Sequence, residues 1–485
     1  MSESLKAKTV RGTVWSAVDN VANQGITFLV GLVLARLLSP HEYGLIGYIL
    51  IIVAILNSIV DSGFSNALIR KKDVKEIDYN TTFIFNMVIS VVMMVLLFFT
   101  APWISKFLNE PELIPLIRFM SVILIINALS IIQRTVLVKR IDFKSQTKVS
   151  LIASITSGCV GIGMALGGYG VWSLVGQQLI RQIVNTVFLW LVNKWIPKFR
   201  FSWQSFRELF GFGWKLMISQ IINVTWKEVY QIVIGKCYST STLGQYTRGK
   251  QFSDIFSANM TNVIQRVSYP ILSSIQDERT RLMEAYRRII RTSMLMSFVF
   301  LFGLGAISDS LIVVLIGNKW LEAAEYLRIV VISASLYPLH AINLNMLQVQ
   351  GRSDLFLKLE VLKKFIGIIP ILLGILIDIK VMLWASVLVG IFDYFLNSYY
   401  SGKFIGYSTW AQIKDILPSF CIAAFMAIVV YLVKIVELRP IWTLISQLSV
   451  GLFIVIVISE LVRLPEYLEI KNIILSCFKN IKVNH

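Results

Sequence analysis

The sequence turns at Leu38-Ser39-Pro40-His41-Glu42-Tyr43-Gly44, between two long apolar runs, and a similar turn occurs at Tyr238-Ser239-Thr240-Ser241-Thr242-Leu243-Gly244. The serine and the final glycine occupy the same places in both turns. A long apolar helical hairpin therefore occurs twice, over residues 12–70 and 213–266. Duplication on this scale in an apolar chain is typical of transporters built from two related bundles, with the transport path between them.

Composition places the chain in the membrane. Of its 485 residues 56% are hydrophobic and only 15% are charged, whereas about a quarter of a soluble protein is charged. We therefore predict an all-α polytopic membrane protein. The net charge of +18 would suggest nucleic-acid binding in a soluble protein, but here the bases must first be placed relative to the spans.

The apolar runs predict fourteen transmembrane helices, since about 20 helical residues cross the hydrocarbon core. The first run lacks the compact core and cleavage site of a signal peptide, so we expect it to be a retained span. The predicted spans are 10–37, 43–68, 79–103, 113–138, 149–166, 171–192, 209–237, 243–269, 289–315, 324–349, 356–377, 381–401, 416–436 and 441–462.

These spans divide into two related six-helix bundles and an appended pair. Besides the two turns, Gly170-Val171-Trp172-Ser173-Leu174-Val175 has a counterpart at Val381-Met382-Leu383-Trp384-Ala385-Ser386-Val387. The predicted divisions are an N-terminal bundle at 1–194, a basic cytoplasmic linker at 195–207, a C-terminal bundle at 208–402, and helices 13 and 14 with a basic cytoplasmic tail at 403–485.

Charge placement supports this topology, because bases near span ends accumulate on the cytoplasmic side. With both termini cytoplasmic, the inner loops receive basic clusters, while Lys319, Lys380 and Lys434 fall singly outside. The basic excess is thus explained by orientation and by contact with anionic lipid, and no nucleic-acid partner is expected. The inner clusters include Arg70, Lys71, Lys72, Lys75, Lys139, Arg140, Arg287, Arg288 and Arg291.

A resemblance to a known family follows from these features. The turn segment 35–44, the first-span pattern Gly12-Thr13-Val14-Trp15-Ser16 and the segment 170–175 resemble the Wzx-type polysaccharide flippases of the multidrug/oligosaccharidyl-lipid/polysaccharide (MOP) superfamily. More narrowly, the chain is similar to the colanic acid and teichuronic acid exporters of lipopolysaccharide and exopolysaccharide biosynthesis. The resemblance extends from Lys8 to about Arg463, and its motifs mark turns and packing, not a reactive site.

The resemblance implies a multi-pass protein of the bacterial inner membrane with a MATE-like arrangement of helices. It implies transfer of undecaprenyl-pyrophosphate-linked oligosaccharide from the cytoplasmic to the periplasmic leaflet, for O-antigen, capsule or exopolysaccharide assembly. The expected mechanism is alternating access of the two halves. Its expected partners are the lipid-linked oligosaccharide, membrane lipids and a polysaccharide polymerase with other assembly proteins.

Polar residues within the predicted spans suggest a cavity, since ionisable side chains there usually face protein or water. In span seven Lys215, Ser219, Asn223, Lys227 and Gln231 recur every fourth residue and share one helix face. Bases would compensate a diphosphate, and amides would bond sugar hydroxyls. The candidate substrate-binding residues are Lys215, Asn223, Lys227, Arg248, Lys250, Asn259, Asn262, Arg181 and Arg134, and the candidate ion or counter-ion residues are Asp19, Asp61 and Asp254.

Each candidate has a structural alternative. Lys215 and Arg266 lie near cytoplasmic span ends, where basic side chains commonly reach the headgroups. Lys227 can pair with an acid. An acid within the membrane, such as Asp19 or Asp61, is more often the counter-ion of an arginine than a proton or cation site.

Two other functions compete with the flippase as explanations of this sequence. A cation-coupled multidrug or precursor exporter of the same superfamily would have twelve spans and a more acidic cavity. A membrane-embedded glycosyltransferase or polymerase would need a large outer loop, and the longest outer segment, 308–325, is short. The sequence contains no nucleotide-binding loop or zinc-protease motif, so we predict a transporter without cofactors, driven by an ion gradient, the membrane potential or the cargo gradient.

The cysteines are expected to be buried, unpaired thiols. They lie far apart, without a second metal-ligating residue at recognisable spacing, so no metal site is predicted. The four are Cys159, Cys237, Cys421 and Cys477.

Overall fold

The computed structural model describes residues 5–193 and 195–483, and it forms two compact units, Met1–Gly244 (unit 1) and Gln245–His485 (unit 2). These units are defined by packing, whereas the bundles at 1–194 and 208–402 are defined by the internal repeat and stay a prediction. Throughout the described ranges the regular structure is helical. The chain is an all-α polytopic membrane protein, as its composition indicated.

Unit 1 holds the first predicted bundle, the linker and the seventh predicted span. Its helices are α1 (Leu5–Leu37), α2 (Pro40–Asp61), α3 (Phe64–Arg70), α4 (Glu76–Leu108), α5 (Leu113–Met120), α6 (Ile123–Lys139), α7 (Phe143–Leu166), α8 (Val171–Asn193), α9 (Trp203–Cys237) and the start of α10 (Thr240–Ser274).

Unit 2 holds the rest of α10 and the remaining helices, with short 3-10 turns at Asn318–Trp320 and Val433–Val436. Its further helices are α11 (Arg279–Ala306), α12 (Ser308–Ile316), α13 (Leu321–Ala334), α14 (Tyr337–Val349), α15 (Ser353–Ile366), α16 (Ile368–Leu376), α17 (Ile379–Ile405), α18 (Thr409–Leu432), α19 (Pro440–Leu461) and α20 (Pro465–Val483).

Ten segments of the described chain are long and apolar enough to cross a membrane, so the predicted count of fourteen spans is not established. The other four predicted spans correspond to α8, α9, α10 and the broken pair α15 and α16. These helices are not among the ten. They carry Arg181, the polar face of α9, the charges of α10 and the lysines of α15, so they include most of the residues predicted to line a cavity.

The two repeated turns are both helix starts. Ser39 caps α2: its backbone N–H donates to Glu42 Oε2 at 2.6 Å, while its hydroxyl accepts from the Glu42 N–H at 3.4 Å. Pro40 fills the first helical position, where no amide hydrogen is needed. In the second turn the Ser239 hydroxyl accepts from the Thr242 N–H at 3.0 Å. The same polar cap therefore begins both second helices of the repeat.

The glycines that end the two turns allow these helix starts to touch. A side chain at Gly44 would collide with the carbonyl of Thr240, and one at Gly244 with the carbonyl of Pro40. This reciprocal contact lies within unit 1. One helical turn further on, the Tyr48 hydroxyl donates to the Gly235 carbonyl at 2.6 Å. This close packing agrees with the interpretation of the repeated motifs as marks of turns and packing.

The linker is anchored to the start of α4. The Lys198 N–H donates to Asn80 Oδ1 at 2.8 Å and the Ser202 N–H to Thr81 Oγ1 at 3.0 Å. Lys71 bridges Asp78 at 3.1 Å and Glu208 at 2.9 Å. Burial disfavours the charge of Lys71, yet hydrogen bonds to Glu208 and Asp78 outweigh it and raise its pKa. The linker is therefore part of unit 1's packing and not a loose tether.

The prediction of buried cysteines is wrong for the thiols that the structure describes. Cys159, Cys237 and Cys421 are unpaired and exposed. In a membrane protein an exposed helix face meets apolar lipid, so exposure of a small apolar thiol carries little cost. The side chain of Cys477 lies outside the described part of the chain.

Candidate functional site

Asp19 lies on α1 in a network of hydroxyl and amide groups. Asn23 Nδ2 donates to Asp19 Oδ1 at 2.5 Å, and the Ser150 hydroxyl of α7 donates to the same carboxylate. Asn23 also bonds Ser150 at 2.8 Å and accepts from Ser154 at 2.6 Å. Because these donors come from two helices, they hold α1 against α7 and keep the carboxylate satisfied within the unit.

Asp61 ends α2 and lies in the same polar interior of unit 1. It accepts from the Ser65 hydroxyl, which in turn accepts from Thr135 Oγ1 of α6 at 3.3 Å. Nearby, Asn127 Nδ2 of α6 donates to Asn57 Oδ1 of α2 at 2.8 Å. Polar side chains of α2, α3 and α6 thus meet inside unit 1, where a soluble protein would have apolar packing.

Two arginines of unit 1, Arg134 and Arg181, are attracted electrostatically by these acids. Arg134 has an accessible side chain, and the carboxylates of Asp61 and Asp19 attract its guanidinium without a direct ion pair. Asp19 also attracts the half-buried Arg181 of α8. The structure therefore brings together Asp19, Asp61, Arg134 and Arg181, which the sequence placed on four separate helices. Their charges balance to a large extent, since two bases face two acids.

The polar face of α9 is different, because its bases are accessible and lack carboxylate partners. Lys215, Asn223 and Lys227 are exposed, whereas Gln231 is buried at the end of the stripe and bonds Glu228. Lys215 has only a long contact with the Trp214 ring, 6.0 Å from its centroid. Within the described residues neither lysine forms an ion pair. The pairing of Lys227 with Glu228, raised from the sequence, is not formed.

The candidates on α10 belong to unit 2. Arg248 is buried, with 8% of its surface exposed, and donates to Gln251 one turn further on. Lys250 and Asp254 are half-buried, and Asn259 is bonded to the Ile255 carbonyl of its own helix. Asn262 is exposed. The face of α10 therefore changes from buried near its start to accessible beyond its middle.

Beyond Asn262, unit 2 contains a polar cavity of about 460 Å³ between α10, α14 and α15. Arg266, Gln265 and Tyr269 line it from α10, and Asn345 and Gln348 line it from α14. The complete lining offers one base, three amides, two aromatic rings and, from α15, the carboxylate of Glu360, a set of groups that suits the hydroxyls of a sugar.

Sequence reasoning missed the contribution of α14 to this cavity. Asn345 and Gln348 are three positions apart, so they share a face of α14, and this spacing was the available signal. It is weak, because two amides in an otherwise apolar helix have no distinctive pattern. For Arg266 the sequence leaves two interpretations open, a polar residue that faces a cavity and a base near a span end. Its place in a cavity depends on helices distant in sequence.

The comparisons with known proteins agree with this picture. A family model described as "Polysaccharide biosynthesis protein" matches residues 33–325. The chain is 27% identical to the succinoglycan biosynthesis transport protein ExoT of Rhizobium meliloti, over 69% of this chain and 68% of that protein. It is 24% identical to the teichuronic acid biosynthesis protein TuaB of Bacillus subtilis, over 88% and 89%. It is also 24% identical to the lipopolysaccharide biosynthesis protein WzxC of Escherichia coli, over 76% of each.

Solved structures show the same fold. The lipid II flippase MurJ, in an inward closed conformation, superimposes with a TM-score of 0.71 at 14% identity, covering 93% of this chain and 98% of that one. An inward-facing multidrug resistance MATE family transporter of the MOP superfamily gives 0.57 at 13% identity, covering 83% and 94%. With the family match spanning more than half of its length, this chain belongs to the polysaccharide biosynthesis protein family and has the fold of MOP-superfamily transporters.

Proposed function

We propose that this chain is a flippase of the bacterial inner membrane. Its cargo is an undecaprenyl-pyrophosphate-linked oligosaccharide repeat unit, which it moves from the cytoplasmic to the periplasmic leaflet for assembly of a surface polysaccharide. The names of its relatives support this proposal, since one is a biosynthesis transport protein and the others take part in teichuronic acid or lipopolysaccharide biosynthesis. The flippase MurJ shares the fold.

The observation that carries the proposal is that Lys215 and Lys227 of α9 are accessible and form no ion pair with the described residues. An isolated ammonium within a membrane helix is costly unless it faces water or an anion. Lys215 and Lys227 lie three turns apart on one face, with Asn223 between them, so a diphosphate and its first sugars can meet charge and amide groups along a single helix. Charge-assisted hydrogen bonds to phosphate are about twice as strong as neutral ones.

Transport would then proceed by alternating access. The cargo headgroup binds the α9 bases while the site is open to the cytoplasm. The polyprenyl tail stays in the bilayer. Both termini are cytoplasmic in this scheme, and a polysaccharide polymerase receives the product outside. No covalent step is required, so the protein acts as a transporter and not as an enzyme.

Complementation tests this function. A bacterium lacking its own exporter of this type receives the wild type, a Lys215→Gln/Lys227→Gln double variant, or a Lys380→Gln control. Lys380 is an exposed base paired with Glu325 at 2.7 Å, so its loss should not affect cargo binding. We expect the wild type and the control to restore surface polysaccharide, while the double variant accumulates lipid-linked oligosaccharide at equal protein level.

Two outcomes would count against the proposal in different ways. Full activity of the double variant would remove the α9 bases from the mechanism but leave transport intact. Failure of the wild type in the cell, together with failure of the purified protein to flip lipid-linked oligosaccharide in vesicles, would overturn the function itself.

A cation-coupled exporter is the second candidate, and Asp19 with its surrounding oxygens is the observation that favours it. A carboxylate, an amide and a hydroxyl are ligands suited to a hard cation. However, the same carboxylate attracts Arg134 and Arg181, and a nearby positive charge disfavours cation binding. Sodium-dependent drug export by the purified protein, absent in Asp19→Asn, would favour this candidate.

A further inference from the structure

Unit 2 carries an apolar groove on its surface, between α11, α13 and α18. Its volume is about 410 Å³, within the range of roughly 300–1,000 Å³ for small-molecule sites. The small residues Gly305, Ala306 and Ala424 line the groove and leave space within it. A side chain at Gly305 would collide with Val331. Ile428 on its rim is 60% exposed, so the groove opens to the surface that lipid covers.

The groove has the length of one leaflet. Along α18 its lining runs from Phe420 to Leu432, which is about 18 Å at about 1.5 Å per residue. Half of the hydrocarbon core is about 15 Å thick. A single extended acyl chain therefore matches the groove in both length and polarity.

One end of the groove carries an unbalanced positive charge. Arg328 Nη2 donates to Asp309 Oδ1 at 2.6 Å, and Lys434 Nζ donates to Asp309 Oδ2 at 2.8 Å. Two bases thus share one carboxylate. Arg328 lies in the groove lining, its guanidinium carbon 4.9 Å from the centre of the Tyr431 ring. Its Nε is buried and has no hydrogen-bond partner among the described residues.

We propose that this groove binds one anionic phospholipid of the bilayer, with an acyl chain along α18 and the phosphate on Arg328 and Lys434. The phosphate balances the one positive charge that remains on Arg328, Lys434 and Asp309 together, and its oxygens can accept hydrogen bonds from the guanidinium. No lining residue comes from α9 or α10, so the site is separate from the candidate cargo residues. The charge-based topology predicts that its basic end lies in the outer leaflet.

Native mass spectrometry of the full chain tests whether the site prefers an anionic headgroup. The protein is released from nanodiscs of equal phosphatidylglycerol and phosphatidylcholine. We expect one retained phosphatidylglycerol in the wild type, and about fivefold less retention in Arg328→Gln, since a base near the lipid surface contributes about that factor. Arg328→Lys keeps the charge and should retain the lipid. Lys198→Gln, which removes an exposed base of unit 1 that pairs with Glu76, should behave as wild type.

The groove itself is tested with phosphatidylglycerol that carries a photoreactive group in its acyl chain. Adducts are expected on peptides of α11 and α18, and Ala427→Phe, which fills the groove, should abolish them. If Ala427→Phe does not fold, Ala424→Phe serves the same purpose. Equal retention of both lipids by the wild type, a wild-type result for Arg328→Gln, or adducts elsewhere would overturn the proposal. Labelling by a photoreactive undecaprenyl phosphate but not by phosphatidylglycerol would do so too, and would assign the groove to cargo.

Discussion

Arg134 of α6 and Lys227 of α9 are both bases within helices predicted to span the membrane, yet their surroundings differ. Arg134 is attracted by Asp61 and Asp19 of its own unit, whereas Lys227 is exposed and no carboxylate pairs with it among the described residues. A base near acids of its own unit is partly compensated within that unit. A base without one can meet an external anion. The comparison suggests that the lysines of α9 are more available to cargo than Arg134 and Arg181 of unit 1.

The largest expected effect is on transport in Lys227→Gln. A hydrogen bond to a charged group contributes about 1.5–3 kcal/mol, so flipping should fall roughly tenfold or more, while thermal stability changes by less than about 0.5 kcal/mol, as at most surface positions. Flipping of lipid-linked oligosaccharide in proteoliposomes, with unfolding of the same preparation, measures both. Lys227→Arg is the control that keeps the charge. A stable, fully active Lys227→Gln variant would remove the contrast with Arg134.

Arg134→Gln should show the opposite pattern, with stability lost first. Removing one partner of a fully buried ion pair costs about 3–5 kcal/mol. Because Arg134 is accessible and makes no direct ion pair with the described residues, we expect a loss of about 1–2 kcal/mol. Adding Asp61→Asn should recover part of this loss, since the unbalanced acid is then gone. Thermal unfolding of the wild type, the two single variants and the double variant provides a double-mutant cycle. If the losses of unfolding free energy simply add, the two residues are not coupled.

A smaller effect is expected from Ser65→Ala, which removes a hydrogen bond to Asp61. The cost should be about 1 kcal/mol, typical of one hydrogen bond. The carboxylate would then depend more on Arg134, so Arg134→Gln should destabilise the Ser65→Ala background more than the wild type. The matched control is Ser219→Ala, on the exposed face of α9, which should leave the unfolding temperature unchanged. An equal effect of Arg134→Gln in both backgrounds would contradict the shared network.

The smallest effect should come from giving Lys227 an acid of its own. Asn223→Asp places a carboxylate four residues before it, a spacing that pairs side chains on one helix face for about 0.3–0.5 kcal/mol. Partial neutralisation of Lys227 should lower flipping about twofold to threefold. Asn223→Ser loses the amide without adding a charge. It therefore separates the effect of neutralising Lys227 from the effect of losing the amide. Unchanged transport in Asn223→Asp, or an equal loss in Asn223→Asp and Asn223→Ser, would show that the added charge has no effect on transport.

The sequence by itself determined the class of the protein, its helical hairpins and its repeated turns. These features depend on local properties: apolar runs long enough to span, and a serine cap with a glycine at fixed offsets. It also identified the polar face of α9, because a four-residue spacing puts side chains on one face whatever surrounds the helix. The polar helices α8, α9 and α10 were predicted as spans, although their hydropathy alone is insufficient.

Only the tertiary structure decided which charged residues have partners. Asp61 and Arg134 are far apart in sequence, and so are Asp309 and Lys434. Their proximity depends on how helices pack, and nothing in the periodicity of one helix encodes its neighbour. For the same reason the α14 wall of the polar cavity and the groove between α11, α13 and α18 could not be read from the sequence. A pattern determines the face of a helix, and packing determines what that face meets.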